Sequence, residues 1–169
     1  LNSPRVIKFR PGRRTKQWNR NCVSLGLASG FIEPLESTSI HLIQQGIVRL
    51  LRMFPHDEIR PAIVDEFNRQ CVDEIEHIRD FIILHYHVTA RTDSAFWRHC
   101  RHMDVPEALA QRLQIFRESG QIHRKANELF DDSWQQVMIG QGLLPEGYHP
   151  IADTMSEQEL KEFLSHIKG

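Results

Sequence analysis

Apolar residues recur at helical spacing through most of the chain. Ile40, Ile43, Ile47 and Leu50 make one stripe, which predicts a helix from Ser37 to about Met53 with a buried face, stopped by Pro55. Ile63, Phe67, Cys71, Ile75, Ile78, Ile82 and Tyr86 make a second, longer stripe. Pro61 suits the first turn of that helix, which should reach roughly His87. Asp93-Ser94 can cap a short helix through Phe96, Trp97 and Cys100, and Val105-Pro106-Glu107 starts another with Leu109, Leu113 and Phe116 inward, ending near Gly120. Asp131-Asp132-Ser133 is expected to cap a helix carrying Trp134, Val137 and Met138, which Gly140, Gly142 and Pro145 end. Ser156-Glu157-Gln158-Glu159 reads as a capping box for a last helix with Leu160, Phe163, Leu164 and Ile167 buried. Before all of these, Arg5-Val6-Ile7-Lys8-Phe9 alternates like a strand ended by Pro11-Gly12, and a second strand is expected near Val23 to Leu27. The fold class that follows is mainly α, a helical array preceded by two short strands. Two strands make a marginal sheet, so their partners are expected in a larger protein.

Length and charge narrow the field. The 169 residues, 40% hydrophobic, suffice for a real core. A formal net charge of −1 and a pI near 6.9 leave no global basic field for nucleic acid or an anionic membrane. Arg10, Arg13, Arg14 and Lys16 beside Trp18 form a local basic run, read as a solvated turn between strands rather than a phosphate patch. Cys22, Cys71 and Cys100 lie far apart with no CxxC, so neither a zinc ribbon nor a disulfide framework is indicated, and a reducing cytoplasm fits. No stretch approaches the roughly 20 apolar residues of a membrane span, and no signal peptide is visible.

Glu74 and His77 form an ExxH, but a di-iron site in a bundle needs a second such pair and two further glutamates. The other ExxH, Glu146 to His149, falls in a loop. His85 and His87 do not share a helix face; His99 and His102 do, as surface pairs commonly do. Phe96, Trp97, Phe116 and Trp134 can wall an aromatic pocket or simply fill the core.

The segment with most chemistry is Gly30 to Ile47. Glu33-Pro34-Leu35-Glu36 places two carboxylates in a Pro-stiffened turn, and Ser37-Thr38-Ser39 puts three hydroxyls where a helix cap belongs. The helix start is a potential anion site, with a carboxylate beside it. Capping alone also accounts for these residues. The preceding Val23-Ser24-Leu25-Gly26-Leu27-Ala28-Ser29-Gly30-Phe31 reads as an apolar strand running into small residues, which lets backbone approach a ligand.

Asn21 to Ile40, NCVSLGLASGFIEPLESTSI, closely resembles the segment of flavin-dependent tryptophan halogenases that passes the isoalloxazine ring. Phe9-Arg10-Pro11-Gly12-Arg13-Arg14 with Trp18, and Ser133-Trp134-Gln135-Gln136-Val137-Met138-Ile139-Gly140-Gln141-Gly142, resemble that family too. The resemblance spans essentially the whole chain and only the C-terminal part of a halogenase. It implies that the two strands belong to the sheet of a larger FAD-binding, monooxygenase-like α+β fold, with residues 1–36 ending the FAD-binding module and 37–169 forming a helical C-terminal region.

Such enzymes use reduced FAD and oxygen to oxidise halide to hypohalous acid, which travels to a lysine and halogenates an electron-rich arene. The resemblance implies that Glu36 is the catalytic glutamate, that Thr38 and Ser39 hold halide, and that Gly26, Leu27, Ala28, Gly30, Pro34, Leu35 and Ile40 lie along FAD. It further implies a small aromatic substrate, tryptophan or another indole or phenol, a separate flavin reductase and a possible homo-oligomer. Position 39 is Ser where the well-known tryptophan enzymes carry Gly. The region after Ser133 is shorter than their tryptophan-holding segment, so no substrate-binding residue is carried over. The family's GxGxxG fingerprint, lysine and WxWxIP motif are not found in this sequence. The chain is therefore expected to be inactive without an N-terminal half. The alternative is a stand-alone helical binding or interaction domain that keeps the EPLEST turn only as a cap; an upstream in-frame GxGxxG would discriminate the two.

Overall fold

The computed structural model describes residues 4–122, 130 and 133–167. They hold four two-residue strands, β1 (Gly12–Arg13), β2 (Trp18–Asn19), β3 (Cys22–Val23) and β4 (Gly30–Phe31). Six helices follow: α1 (Thr38–Arg52), α2 (Pro61–His87), α3 (Ala95–His102), α4 (Glu107–Ser119), α5 (Ser133–Gly140) and α6 (Glu157–Ile167). The fold is mainly helical, as the periodicity indicates. The chain divides into two compact units, Leu1–Ile82 and Ile83–Gly169.

In the first unit the strands form two antiparallel pairs. β1 pairs with β4, Gly12 opposite Phe31 and Arg13 opposite Gly30, and β2 pairs with β3, Trp18 opposite Val23. The expected strand over Arg5–Phe9 is not one: residues 4–11 have no regular structure, and Val6 is 83% exposed. Alternation sets the faces of a strand, but a ladder needs a neighbour to accept and donate its hydrogen bonds. The expected second strand likewise shrinks to Cys22–Val23, because Gly26 turns to φ +60° and opens a 3-10 turn over Gly26–Ala28.

The β2–β3 hairpin is docked on α2 by one side chain. Asn68 Oδ1 accepts from the backbone N–H groups of Gln17 (2.8 Å) and Trp18 (2.9 Å), and its Nδ2 donates to Trp18 O at 2.8 Å. Trp18 then meets Phe67 edge to face at 5.3 Å, and with Cys71 they form a buried cluster flanked by Val23, Leu50, Met53 and Val64. Most of the expected α2 stripe is buried: Phe67, Cys71, Ile75, Ile78 and Ile82 are each at most 5% exposed.

The second unit buries Leu84, Cys100, Leu109, Leu113, Phe116, Trp134 and Met138. α3 begins as expected, with Ser94 Oγ accepting from Trp97 N–H. α4 ends at Gly120 in the left-handed region (φ +68°), whose N–H donates to Phe116 O at 2.8 Å. Asp131 and Asp132 lie outside the described residues. The capping box at α6 is formed, with Glu159 Oε2 accepting from Ser156 N–H at 2.8 Å and Ser156 Oγ from Glu159 N–H at 3.3 Å.

Two expected buried faces are open. In α6, Leu160, Phe163, Leu164 and Ile167 are all exposed, and in α1 so are Ile40 (63%), Ile43 and Ile47. Periodicity shows which residues share a face. It does not show what covers that face: in α1 the Gly26 turn touches Ile43 and the Phe67 cluster takes Leu50, yet Ile40, Ile43 and Ile47 stay exposed.

Candidate functional site

The candidate residues lie in one stretch of the first unit, from the 3-10 turn at Gly26–Ala28 to the start of α1. That turn sits directly on α1. A Cβ at Gly26 would come within 2.9 Å of Ile43 Cγ1, and one at Gly46 within 2.9 Å of Leu25 Cδ2, so both glycines permit close packing between turn and helix. Gly30 is equally tight against β1, its Cβ position 2.9 Å from Gly12 O. These glycines are accounted for by the chain's own packing. The surface left over is apolar and small: Leu27 is 70% exposed, and Ala28, Pro34 and Ile40 are exposed as well.

A basic residue staples the turn. Arg14 Nε donates to Ala28 O at 2.6 Å and Arg14 N–H to Ser29 O at 2.8 Å, while Ser29 Oγ donates back to Gly26 O at 2.6 Å. Arg13 pairs with Glu76 at 3.1 Å. The basic run is thus committed in part to internal contacts, a role its charge pattern does not reveal.

The backbone ahead of α1 is unusual. Glu36 (φ 61°) and Ser37 (φ 53°) are consecutive non-glycine residues in the left-handed region, within the turn closed by Ser37 N–H to Pro34 O at 3.1 Å. Such residues cost on the order of 1–3 kcal/mol each and tend to gather at functional sites. Ser37 occupies the cap position of α1, but its side chain makes no cap bond. The expected hydroxyl cap from Ser37 is therefore absent. A residue that caps through its side chain normally has extended φ/ψ, and the left-handed backbone of Ser37 departs from that. Glu36 is exposed beside this helix start, Thr38 is buried (3%), Ser39 and Leu35 are half-buried.

Other expected chemistry dissolves into structure. Glu74 spends both oxygens on α1, Oε2 on Arg49 and Oε1 on His41, which removes it from an ExxH metal site. No group of three or more metal-ligating side chains converges among the described residues. Phe116 and Trp134 are core residues, with the Arg112 guanidinium 4.1 Å from the Trp134 ring. Trp97 stacks on Tyr86 at 6.0 Å and carries Arg91 over its ring at 4.5 Å. All three cysteines are free, and burial pushes the Cys71 thiol up despite Arg49 nearby. No described helix is long and apolar enough to cross a membrane.

The turn and helix have counterparts in known proteins. Xcc4156, a flavin-dependent halogenase from Xanthomonas campestris, is 55% identical and superposes with a TM-score of 0.93, covering 99% of this chain and 34% of that one. BrvH, a flavin-dependent halogenase from Brevundimonas sp. BAL3, is 48% identical with a TM-score of 0.92, over 98% of this chain and 34% of that one. Tryptophan 6-halogenase SttH of Streptomyces toxytricini is 33% identical over 93% of this chain and 31% of its own length. The chain thus spans about a third of the length of these relatives. The family model for tryptophan halogenase matches residues 1–157, so the chain belongs to the tryptophan halogenase family.

Proposed function

We propose that this chain is the C-terminal portion of an FAD-dependent halogenase that acts on tryptophan or another electron-rich arene and needs an N-terminal half for activity. Residues 1–36 would then close the FAD-binding module, and residues 37–169 form its helical C-terminal region. The observation that carries the reading is the turn before α1: an exposed carboxylate, Glu36, held in a strained backbone next to a helix start that Ser37 does not cap.

The residues fit a flavin in one respect the fold could have contradicted. Leu27, Ala28, Pro34 and Ile40 face outward with no core role, as side chains lying along a flat ring should, while Gly26, Gly30 and Leu35 set the path of the turn between them. Reduced FAD, when bound, supplies with oxygen the oxidising equivalents that convert halide to hypohalous acid. The chain's own part is electrostatic and positional. The N–H groups of Thr38 and Ser39 hold halide at the positive end of α1. Glu36 accepts the proton that leaves the arene carbon as the carbon–halogen bond forms, and its charge stabilises the positive charge that develops on the ring.

The reduced flavin would come from a separate flavin reductase. A reducing cytoplasm suits three free thiols, and a homo-oligomer would cover some of the open apolar surface. The likenesses lend nothing to a stand-alone interaction domain. The test is to express the full coding region, supply FAD, a flavin reductase, NADH and bromide or chloride, and look by mass spectrometry for halogenated indole or tryptophan. Halogenated product is expected; its absence across indoles and phenols, with flavin bound and reduced, would overturn the reading.

A further inference from the structure

α1 is fastened to α2 by one carboxylate gripped from two heights. Arg49 Nη2 donates to Glu74 Oε2 at 2.8 Å, and His41 Nε2 lies 3.1 Å from Glu74 Oε1. The three side chains are 12%, 26% and 15% exposed, so solvent screens these contacts weakly. Arg49 is held further by Gln70 Oε1 at 3.2 Å and Cys71 Sγ at 3.1 Å, with its guanidinium 5.9 Å from the Phe67 ring centroid. Burial works against the Arg49 charge, but the hydrogen bond and charge of Glu74 outweigh it and raise its pKa.

The two contacts fix different motions. His41 and Arg49 are just over two helical turns apart, roughly 12 Å along the axis. Sliding α1 along α2 would stretch one contact while compressing the other, and rotating α1 would swing both away from the carboxylate. Ile43 and Gly46, between them in sequence, meet the Gly26 turn and Leu25. The helix is therefore set by Glu74 and by the turn together. Because Ser37 does not cap α1, the location of the first-turn amides and of Glu36 follows from where α1 itself is held.

We infer that Glu74 is a positioning residue: through His41 and Arg49 it sets the register of α1 and so places the Thr38 and Ser39 amides and Glu36. What those groups do rests on the proposed halogenase reading; the positioning itself does not.

Two variants test it. Glu74→Gln keeps the shape and removes the charge. The double variant Arg49→Met, Glu74→Met replaces the ion pair with apolar side chains of similar volume, a change that often leaves stability near that of the parent. In the full chain, amide hydrogen exchange at residues 42–48, whose N–H groups are bonded within α1, should quicken about tenfold in both variants while residues 75–82 of α2 keep wild-type rates. In the full-length enzyme the halide KM for hypohalous acid formation should rise about tenfold, with the melting temperature of the double variant close to wild type. A purely structural Glu74 gives a different result, a uniform rise in exchange across both helices with halide KM unchanged. That outcome, or wild-type exchange at 42–48 in the double variant, overturns the inference. If the wild-type enzyme forms no hypohalous acid, the halogenase reading fails and the exchange experiment alone decides the role of Glu74.

Discussion

α1 and α2 carry the same kind of apolar stripe and come to opposite ends. In α2 the stripe is the core of the first unit, with Phe67 and Ile78 fully buried. In α1 the stripe of Ile40, Ile43 and Ile47 stays open, and the positions that are buried are Thr38 and Gly46. α1 is held to α2 through Arg49 and His41 on Glu74 and through Leu50 alone of its stripe, packed on the Phe67 cluster, and to the Gly26 turn through the space two glycines leave. One helix is built to hold the fold. The other leaves Ile40, Ile43 and Ile47 of its stripe exposed, in a chain that spans about a third of the length of its relatives.

The contrast should show first in stability. Phe67→Ala removes a fully buried ring from the Trp18 cluster and should cost about 3–5 kcal/mol, measured by urea unfolding of the chain. Ile40→Ser, at a position 63% exposed, should stay within about 0.5 kcal/mol. Comparable losses at the two sites would erase the distinction between the helices.

A smaller effect, of opposite sign, is expected at the strained turn. Ser37 sits at φ 53° with no side-chain cap bond, so Ser37→Gly relieves the backbone and loses no cap. The variant should gain about 0.5–1 kcal/mol. A loss of stability would show that the serine side chain contributes to the turn after all.

The smallest effect concerns the far end of α2. Burial depresses the pKa of His87 below the ordinary histidine value, against a hydrogen bond to the Cys100 backbone that raises it. A depressed folded pKa means the unfolded chain binds more protons in that range, so the contribution of His87 is complete above the ordinary value of about 6.5 and is lost as pH falls below it. The urea midpoint should drop between pH 7.5 and 5.5 by more in the wild type than in His87→Gln; equal drops would contradict the assignment.

Much of this was legible in the sequence, for a physical reason that also marks the boundary. Pro61, the α2 stripe, Ser94, Gly120 and the Ser156–Glu159 box act within one element, over three or four residues, and each behaves as its chemistry dictates. The open faces of α1 and α6 were not legible, because exposure depends on what lies opposite. Strand extent failed at Arg5–Phe9 for the same reason. Glu74 looked like half of a metal motif with His77, yet its partners come from α1, 25 and 33 residues away. At the site itself the residue types at Glu36 to Ser39 were plain, but the left-handed backbone of Glu36 and Ser37 was not, since neither residue type favours it.

The central claim is that the turn before α1 is a catalytic site rather than a cap, and Glu36→Gln in the full-length enzyme tests it most directly. The substitution keeps the shape of the side chain and removes its charge. If Glu36 serves the arene, halogenated product should fall about 100-fold or more, while flavin binding and free hypohalous acid persist, because neither the proposed flavin contacts nor the proposed halide contacts at Thr38 and Ser39 include this carboxylate. Both signals would be measured side by side in wild type and variant. Product equal to wild type, or loss of product and hypohalous acid together, would contradict the account.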